Sequence, residues 1–384
     1  MAEPLKHQYG LEVPHAIATQ IHAVFPEFDG SNFLRLAQEG YETLELMDRA
    51  RHLSKALAAT LPGVFSDALR VLVDSLGPPL ADTRSFGMAP FHYLPHVFFV
   101  GQFGPTAIRT APADQQPALF LQCMNAQYEL TRRFTAEFSL RPYLLAFTAE
   151  TLAVLHTWAD DPCEHVRRLV SEGSRPRLPW APRLPHFQQD PAPTLALLEK
   201  LKDDPSRYVQ RSVANHLNDI SKDRPDCFYA TLQRWAENPT PPRQWIIRHA
   251  LRNAIKRGDP EAMALCGLNS TQRPELVASS LNPTRVNLGE TVTLSVSLFN
   301  PLDTPCLLEI DYTVDYLKAN GRYHRKVFKL KRLTLAGHQN CQLQKSFTLR
   351  PMTTRTLYPG PHPVGLHING MHFPISTFEL QIPQ

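Results

Sequence analysis

Between about residues 14 and 268, apolar residues recur every three or four positions, with breaks at Pro or Gly. The segments YETLELMDRARHLSKALAATL (41–61) and PTLALLEKLKDD (193–204) show this spacing, which is typical of helices that bury one face. After Leu268 the period changes, and TVTLSVSLFN (291–300) alternates apolar and polar residues as half-buried strands do. The pattern therefore predicts a helical region followed by an all-β region.

The helical region contains an internal repeat. DDPCEHVRRLVSEG (160–173) aligns with DDPSRYVQRSVANH (203–216), 43 residues later, and PPRQWIIRHALRN (241–253) is a weaker third copy. HEAT-like repeats have periods of about 40 to 47 residues. Each copy begins with Asp or Pro, as helix N-termini do. The repeat predicts a HEAT-like α-solenoid of stacked helix pairs.

The last hundred residues carry several short alternating stretches. They lie near 306–316, 324–330, 342–349 and 372–381, and Asn369-Gly370 is a hairpin turn signal. Six or seven short strands in this length predict a small immunoglobulin-like β-sandwich. The polar segment around 269–283 is typical of a linker. We therefore expect a mainly α chain with two domains, a solenoid at 1–270 and a sandwich at 282–384.

Composition narrows the class of protein. With 384 residues, 43% hydrophobic and 20% charged, the chain is an ordinary globular one, and no apolar run reaches the roughly 18 to 20 residues of a membrane span. The start, MAEPLKHQYG, lacks a secretory signal pattern, so we expect a cytoplasmic protein. The six cysteines are spread without a CxxC pair, which favours reduced thiols and predicts no metal and no other cofactor.

Positive charge is concentrated near the C-terminus. Residues 282–384 carry 11 Lys and Arg against 6 Asp and Glu, whereas residues 1–281 carry 29 against 30. With a period of two, Lys329 and Lys331 are expected on the same strand face as Arg325. Such a cluster either binds a polyanion or is a solvated edge strand protected by lysines. The candidates for DNA binding in this domain are Lys326, Lys329, Arg350 and Arg355.

The repeat also predicts a stripe of arginines along one helix face, because residues four apart lie one above the other. Such a stripe suits DNA phosphates, although the same arginines could instead pair with carboxylates on a solvated face. Two carboxylates in the stripe would oppose phosphate binding unless they have a chemical task. Copy by copy, the members are Arg168 and Glu172, then Arg211, Asn215 and Asp219, then Arg248, Arg252 and Lys256.

Two further residues stand out from the helical pattern. Trp180 lies in the proline-rich loop SEGSRPRLPWAPRL (171–184), where it either packs into the core or stands against a nucleobase or sugar. The sequence predicts that Glu137 lies at the centre of a helix, between Phe134 and Phe138. A carboxylate in that position is either turned outward or held in a partly apolar cleft for a purpose.

Several segments resemble the AlkC/AlkD-type alkylpurine DNA glycosylases, which hold duplex DNA with HEAT-like repeats. The β-sandwich points to the AlkC branch. The resemblance implies that Glu137, Glu172 and Asp219 act at the lesion, that Trp180 is the aromatic contact, and that the sandwich closes over the DNA. The segments that carry it are RHLSKAL (51–57), FTAEFSLRPYLL (134–145), WADDPCEHVRRLVSEGSRPRLPW (158–180) and SVANHLNDISKDRPD (212–226).

The resemblance implies a monofunctional DNA glycosylase of base excision repair, a monomer acting near the nucleoid. It would hydrolyse the N-glycosidic bond of cationic alkylated bases in duplex DNA, 3-methyladenine first and 3-methylcytosine as a further candidate, without full base flipping. A purine alkylated at N3 already carries positive charge and leaves without protonation. Carboxylates then stabilise the oxocarbenium-like sugar and direct the water. The alternative is a non-catalytic HEAT-repeat DNA-binding or scaffold protein.

Overall fold

The computed structural model describes residues 5–80, 89–269, 274–350 and 356–382. The chain divides into two compact units, Glu3–His249 and Ala250–Gln384. Within the described residues no single helix is both long and apolar enough to cross a membrane, and only the bent helix pair Leu46–Thr60 and Phe65–Asp74 passes that test by length and composition. The α-helices are α1 (Glu12–Val24), α2 (Gly30–Gln38), α3 (Leu46–Thr60), α4 (Phe65–Asp74), α5 (Leu94–Thr110), α6 (Gln116–Thr131), α7 (Glu137–Ala146), α8 (Thr148–Trp158), α9 (Glu164–Gly173), α10 (Pro185–Gln189), α11 (Ala192–Leu201), α12 (Arg207–Asp223), α13 (Pro225–Ala236), α14 (Pro241–Lys256) and α15 (Pro260–Leu265).

The first unit is a stack of helix pairs in two layers. Helices α3, α5, α7, α9 and α12 pack side by side in chain order, and α4, α6, α8, α11 and α13 lie against them. A Cβ added at Gly101 in α5 would lie 2.9 Å from the Cα of Ser139 in α7, so these two backbones approach closely. The arrangement confirms the predicted HEAT-like solenoid.

The 43-residue repeat is visible in the local structure. Asp161 Oδ1 accepts a hydrogen bond from the backbone N–H of Cys163 at 2.7 Å, and Asp204 Oδ1 accepts from that of Ser206 at 2.8 Å. Each aspartate thus shapes the turn that starts the next helix, α9 or α12. Arg167 of α9 also reaches Asp204, with Nε 2.6 Å from Oδ2. This ion pair, in which Asp204 is buried, joins one repeat to the next.

The second unit contains two packed sheets, with strand orders β1-β3-β6 and β2-β8-β7-β4-β5. The rings of Tyr312 and Phe347 stack across the sandwich with centroids 5.4 Å apart. Asn369 and Gly370 both have positive φ and connect β7 to β8, as predicted for a hairpin turn. The predicted sandwich is confirmed. The strands are β1 (Glu275–Asn282), β2 (Arg285–Asn287), β3 (Thr291–Phe299), β4 (Cys306–Leu317), β5 (Tyr323–Leu335), β6 (Asn340–Thr348), β7 (Gly360–Ile368) and β8 (Met371–Gln381).

Two predictions about this unit are wrong. The linker expected around 269–283 is mostly strand, because β1 pairs with β3 over 275–282. As an edge strand, β1 leaves most of its residues exposed, which hides the alternating pattern. In addition, β5 has an irregular register: Lys331 pairs with Ile310 and Lys329 pairs with the next residue, Asp311. The extra residue, Leu330, turns Lys331 away from the face that Lys329 shares with Arg325.

Candidate active site

A cleft of about 330 Å³ opens on the first layer of helices, entirely within the first unit. Its polar residues are two carboxylates, one guanidinium and two hydroxyls, and the rest of its lining is apolar or aromatic. Few, convergent polar groups in an apolar cleft are typical of a ligand or active site. The polar set is Thr135, Glu137, Arg168, Glu172 and Tyr208; the apolar set is Met47, Pro90, Phe91, Leu94, Phe134, Phe138, Leu178, Pro179 and Trp180.

Glu137 stands at the start of α7, not at the centre of a helix as the sequence suggested. The Thr135 hydroxyl donates to Glu137 Oε2 at 2.9 Å and accepts from the Glu137 backbone N–H at 3.3 Å. Arg168 Nη1 lies 2.6 Å from Glu137 Oε2. The helix N-terminus, the hydroxyl and the guanidinium together hold this carboxylate in one orientation at the cleft.

Glu172 lies near the end of α9 and is 7% exposed. Its Oε1 accepts from Arg175 at 2.6 Å and lies 3.6 Å from Arg168 Nη2, and its Oε2 accepts from the Ser212 hydroxyl at 2.6 Å. Burial favours the neutral acid, but Arg168, Arg175 and Ser212 outweigh burial and hold the pKa of Glu172 below its ordinary value. Glu172 is therefore a fixed, buried carboxylate that borders the cleft.

Asp219 is close to Glu172 but does not line the cleft. It is 2% exposed, and Arg175 Nε lies 2.8 Å from its Oδ2 while Lys222 Nζ lies 2.9 Å from its Oδ1. Both oxygens are thus engaged by cations. Of the three predicted carboxylates, the structure brings Glu137 and Glu172 to the cleft and joins Asp219 to Glu172 through Arg175.

Trp180 projects at the rim of the cleft, and 68% of its surface is exposed. Its φ of 61° is in the left-handed region, which is rare for a bulky residue and strains the backbone. Buried Arg141 holds the loop that carries it, because its guanidinium donates to the backbone carbonyls of Gly173, Arg175 and Pro182. Burial lowers the pKa of Arg141 to about 10. Of the two roles open to Trp180, the structure favours contact with a ligand.

The predicted arginine stripe does not form one uniform surface. Arg168 turns into the cleft and lies over the Tyr208 ring at 5.3 Å, with its side chain 15% exposed. Arg211 and Arg248 are exposed, and no carboxylate in the described ranges pairs with either. Arg252 is half-buried and belongs to the second unit. Asn215 is half-buried in α12. Arg211 and Arg248 are thus the members of the stripe that are exposed and unpaired with a carboxylate in those ranges.

The basic residues of the second unit also fall into two groups, those paired with carboxylates and those that are exposed. Lys329 pairs with Glu309, and Arg325 forms two hydrogen bonds of 2.7 Å with Asp315. Lys326 is exposed on the other face of β5, and no carboxylate in the described part of the chain pairs with it. Arg350 is also exposed, and Arg355 lies outside the described residues.

Several site residues were missed from the sequence. Arg141 and Arg175 are buried cations, yet in the sequence they look like any other arginines of a helix and a loop. Met47 and Phe91 bring the N-terminal region, which had no predicted role, to the cleft wall. One signal was available: Arg175 lies 44 residues before Asp219, close to one repeat length, so neighbouring repeats bring the two together.

Comparisons with known proteins cover nearly the whole chain. A family model described as the C-terminal Ig-like domain of uncharacterised protein YhaZ matches residues 275–382. The chain is 34% identical over 371 residues to the uncharacterized protein YhaZ of Bacillus subtilis (strain 168), spanning 95% of this chain and 96% of that one. It is 37% identical to the Pseudomonas fluorescens alkylpurine DNA glycosylase AlkC, solved bound to DNA containing an abasic site analog. That likeness has a TM-score of 0.82 and covers 99% of this chain and 100% of the other.

Proposed function

This chain belongs to the AlkC-type family of alkylpurine DNA glycosylases, and on that premise we propose that it is a monofunctional DNA glycosylase for cationic alkylated bases. The observation that carries the proposal is the pair of carboxylates, Glu137 and Glu172, at an apolar cleft beside an exposed tryptophan. A binding-only relative would not need two carboxylates on a surface that meets phosphates. Retaining them opposes DNA affinity, so they serve a chemical step.

The chemistry of the lesion fits these groups. A base alkylated at a ring nitrogen is already cationic, so the C1′–N bond breaks without a general acid and the electron pair leaves with the neutral base. The sugar left behind is oxocarbenium-like, and a fixed carboxylate stabilises it electrostatically. Glu172 takes this role because two arginines keep it charged. Glu137 accepts a proton from, or orients, the water that attacks C1′.

The substrate is a small cationic lesion in duplex DNA, 3-methyladenine first and 3-methylcytosine second. Trp180 stands outward at the rim instead of closing a pocket, which supports attack on the sugar of a base that stays largely stacked. Arg211 and Arg248, the exposed arginines of α12 and α14, contact phosphates of the same duplex. Asn215, Arg252, Lys326, Lys329, Arg350 and Arg355 remain proposed DNA contacts.

The protein works alone and in the cytoplasm, associated with the nucleoid. A monomer suffices because Glu137, Arg168, Glu172 and Trp180 all come from one unit of one chain. The site also uses no metal in this proposal, since a cationic leaving group and fixed carboxylates provide the required electrostatics.

The deciding experiment measures release of free bases from methylated duplex DNA. Purified protein and Glu172→Gln are compared, with spontaneous loss subtracted and released bases separated by chromatography. Release of 3-methyladenine by the wild type alone supports both the activity and the site. Absence of release by either protein, with DNA binding intact, would favour the non-catalytic DNA-binding scaffold.

A further inference from the structure

Arg175 is the only group in the described residues shown to bind both Glu172 and Asp219. Its Nη1 lies 2.6 Å from Glu172 Oε1 and its Nε lies 2.8 Å from Asp219 Oδ2, and all three side chains are at most 10% exposed. The guanidinium therefore joins a cleft carboxylate of α9 to a buried carboxylate of α12 that does not line the cleft.

Hydrogen bonds hold both the backbone and the side chain of Arg175. Its backbone carbonyl accepts from Arg141 Nη1 at 2.7 Å, and its guanidinium is held by Asp219. Lys222 binds the other Asp219 oxygen, and Asp219 is 2% exposed and does not line the cleft, so its carboxylate is not presented to a ligand there. In this arrangement Asp219 orients Arg175, and Arg175 orients Glu172.

We propose that Arg175 is a positioning residue for base release, which keeps Glu172 charged and oriented toward the cleft, and that Asp219 acts through Arg175 without touching the substrate. This inference rests on the proposed glycosylase function. It predicts that substitutions of Arg175 and Asp219 do not have independent effects on the rate of base release. It also predicts that loss of Arg175 alters the charge state of Glu172.

The groups around Glu172 determine the sign of that second effect. Besides Arg175, Glu172 interacts with Arg168 of its own helix and with Ser212, Tyr208 and His216 of α12. It shares Arg168 with Glu137 of α7 and Arg175 with Asp219 of α12, and Arg141 of α7 acts on those two carboxylates. Burial lowers the pKa of His216 to about 4, so the imidazole adds no positive charge near neutrality. Tyr208 is likewise neutral there, since burial raises its pKa.

Removing Arg175 would leave a buried carboxylate with one direct cation, Arg168. The effect of burial is then opposed by fewer positive charges, so the pKa of Glu172 rises. A substrate that carries its own positive charge needs no proton, so the wild-type rate should stay flat with pH until Glu172 is protonated. In Arg175→Gln the acid limb of that profile should move to higher pH.

The test compares single-turnover base release from methylated duplex DNA between pH 5 and 8.5. The expected result for Arg175→Gln is a loss of about tenfold at pH 8 that becomes larger as the pH falls toward 5. Arg175→Lys keeps the charge and should keep the wild-type pH profile with a reduced rate. A wild-type profile in Arg175→Gln, at any absolute rate, would overturn the inference.

Arg177→Gln is the matched control. Arg177 lies in the same loop and binds Asp223 of α12, with Nε 2.7 Å from Oδ2, one helical turn beyond Asp219. It supports the loop as Arg175 does but has no contact with Glu172. Arg177→Gln should therefore lower the melting temperature without moving the acid limb. An equal shift in this control would mean that the loop, not Arg175, sets the profile, and would contradict the inference.

A double-mutant cycle tests the role of Asp219 and does not require Arg175→Gln to fold. If Asp219 acts through Arg175, the double variant Arg175→Lys/Asp219→Asn should release bases only slightly more slowly than the less active of the two single variants. Multiplicative losses would show that Asp219 acts directly and would overturn the inference. Failure of the wild type to release any base would instead refute the proposed function, so the two failures are distinguishable.

Discussion

Arg168 and Glu137 form an ion pair of 2.6 Å that joins α9 to α7, the neighbouring helix of the same layer. The same guanidinium lies 3.6 Å from Glu172, so one cation is shared by both carboxylates of the cleft. A positively charged ligand that enters the cleft meets carboxylates whose orientation is already fixed. Electrostatic stabilisation is most effective under that condition, because no reorganisation is needed as the charge develops.

Glu172→Gln should reduce single-turnover base release by about 10²- to 10³-fold, because it removes a fixed charge beside the developing sugar cation. Glu137→Gln should reduce it by a comparable factor if that residue orients the water. Affinity for the same duplex should stay equal or rise, since a negative charge near phosphates is lost. Exposed Glu150 of α8 provides the control, and Glu150→Gln should behave as wild type. Wild-type rates in both cleft variants would refute their assignment.

Trp180→Gly separates a surface contact from a core residue. Glycine adopts a φ of 61° without strain, so the variant should be as stable as the wild type or more so. Base release should nevertheless fall, because the exposed ring that meets the DNA is gone. Trp158→Ala is the contrasting control: this tryptophan is 9% exposed, and loss of its side chain should cost about 3 to 5 kcal/mol of stability. Unchanged turnover in Trp180→Gly would show that the ring makes no useful contact.

The sequence predicted the architecture because each unit has a strong periodic signal. The 43-residue repeat places Asp161 and Asp204 at equivalent turns, and strand β3 alternates buried and less buried residues along its whole length. The start of α7 was missed because Phe134 and Phe138 flank Glu137 at helical spacing, although the helix begins only at Glu137. Apolar spacing reports which residues are buried, but not where the backbone turns.

The candidate site was predicted less completely for a related reason. Resemblance to a family identified Glu137, Glu172 and Trp180, which the structure places around one cleft. It gave no sign of Arg141 or Arg175, because a buried arginine follows no periodic rule. Their places depend on backbone carbonyls and on carboxylates of the neighbouring repeat, which only the assembled helices reveal. The extra residue in β5 was missed because neither Gly nor Pro marks it.

Lys326 and Lys329 should contribute differently to DNA binding. Lys326→Gln should lower the slope of log affinity against log salt by about one, as loss of one phosphate contact does. Lys329→Gln should change the slope less, since its ammonium already pairs with Glu309. Titrations of the intact chain with undamaged duplex DNA at several salt concentrations give both slopes. Equal slopes for Lys326→Gln and the wild type would remove Lys326 from the interface.

Asp311 should make the stability of the second unit depend on pH. It is 4% exposed, its Oδ1 has no partner among the described residues, and burial raises its pKa to about 6, against the weaker opposing effect of Lys256. The folded chain therefore keeps a proton that the unfolded chain releases near pH 4. Its contribution to stability is fully present below about pH 4 and is lost as the pH rises through about 6.

Asp311→Asn removes this titration and should stabilise the second unit at pH 8 by at most about 3 kcal/mol, with little effect at pH 4. Asp315→Asn is the control on the same face of β4, because the hydrogen bond from Arg325 holds the pKa of Asp315 below its ordinary value. Its stabilising effect has the opposite pH dependence, so that variant should be destabilised at pH 8. Thermal unfolding of the intact protein, followed through the transition of the second unit, measures both. A stability difference for Asp311→Asn that is the same at pH 4 and pH 8 would show that this carboxyl does not titrate in the folded chain as its burial requires.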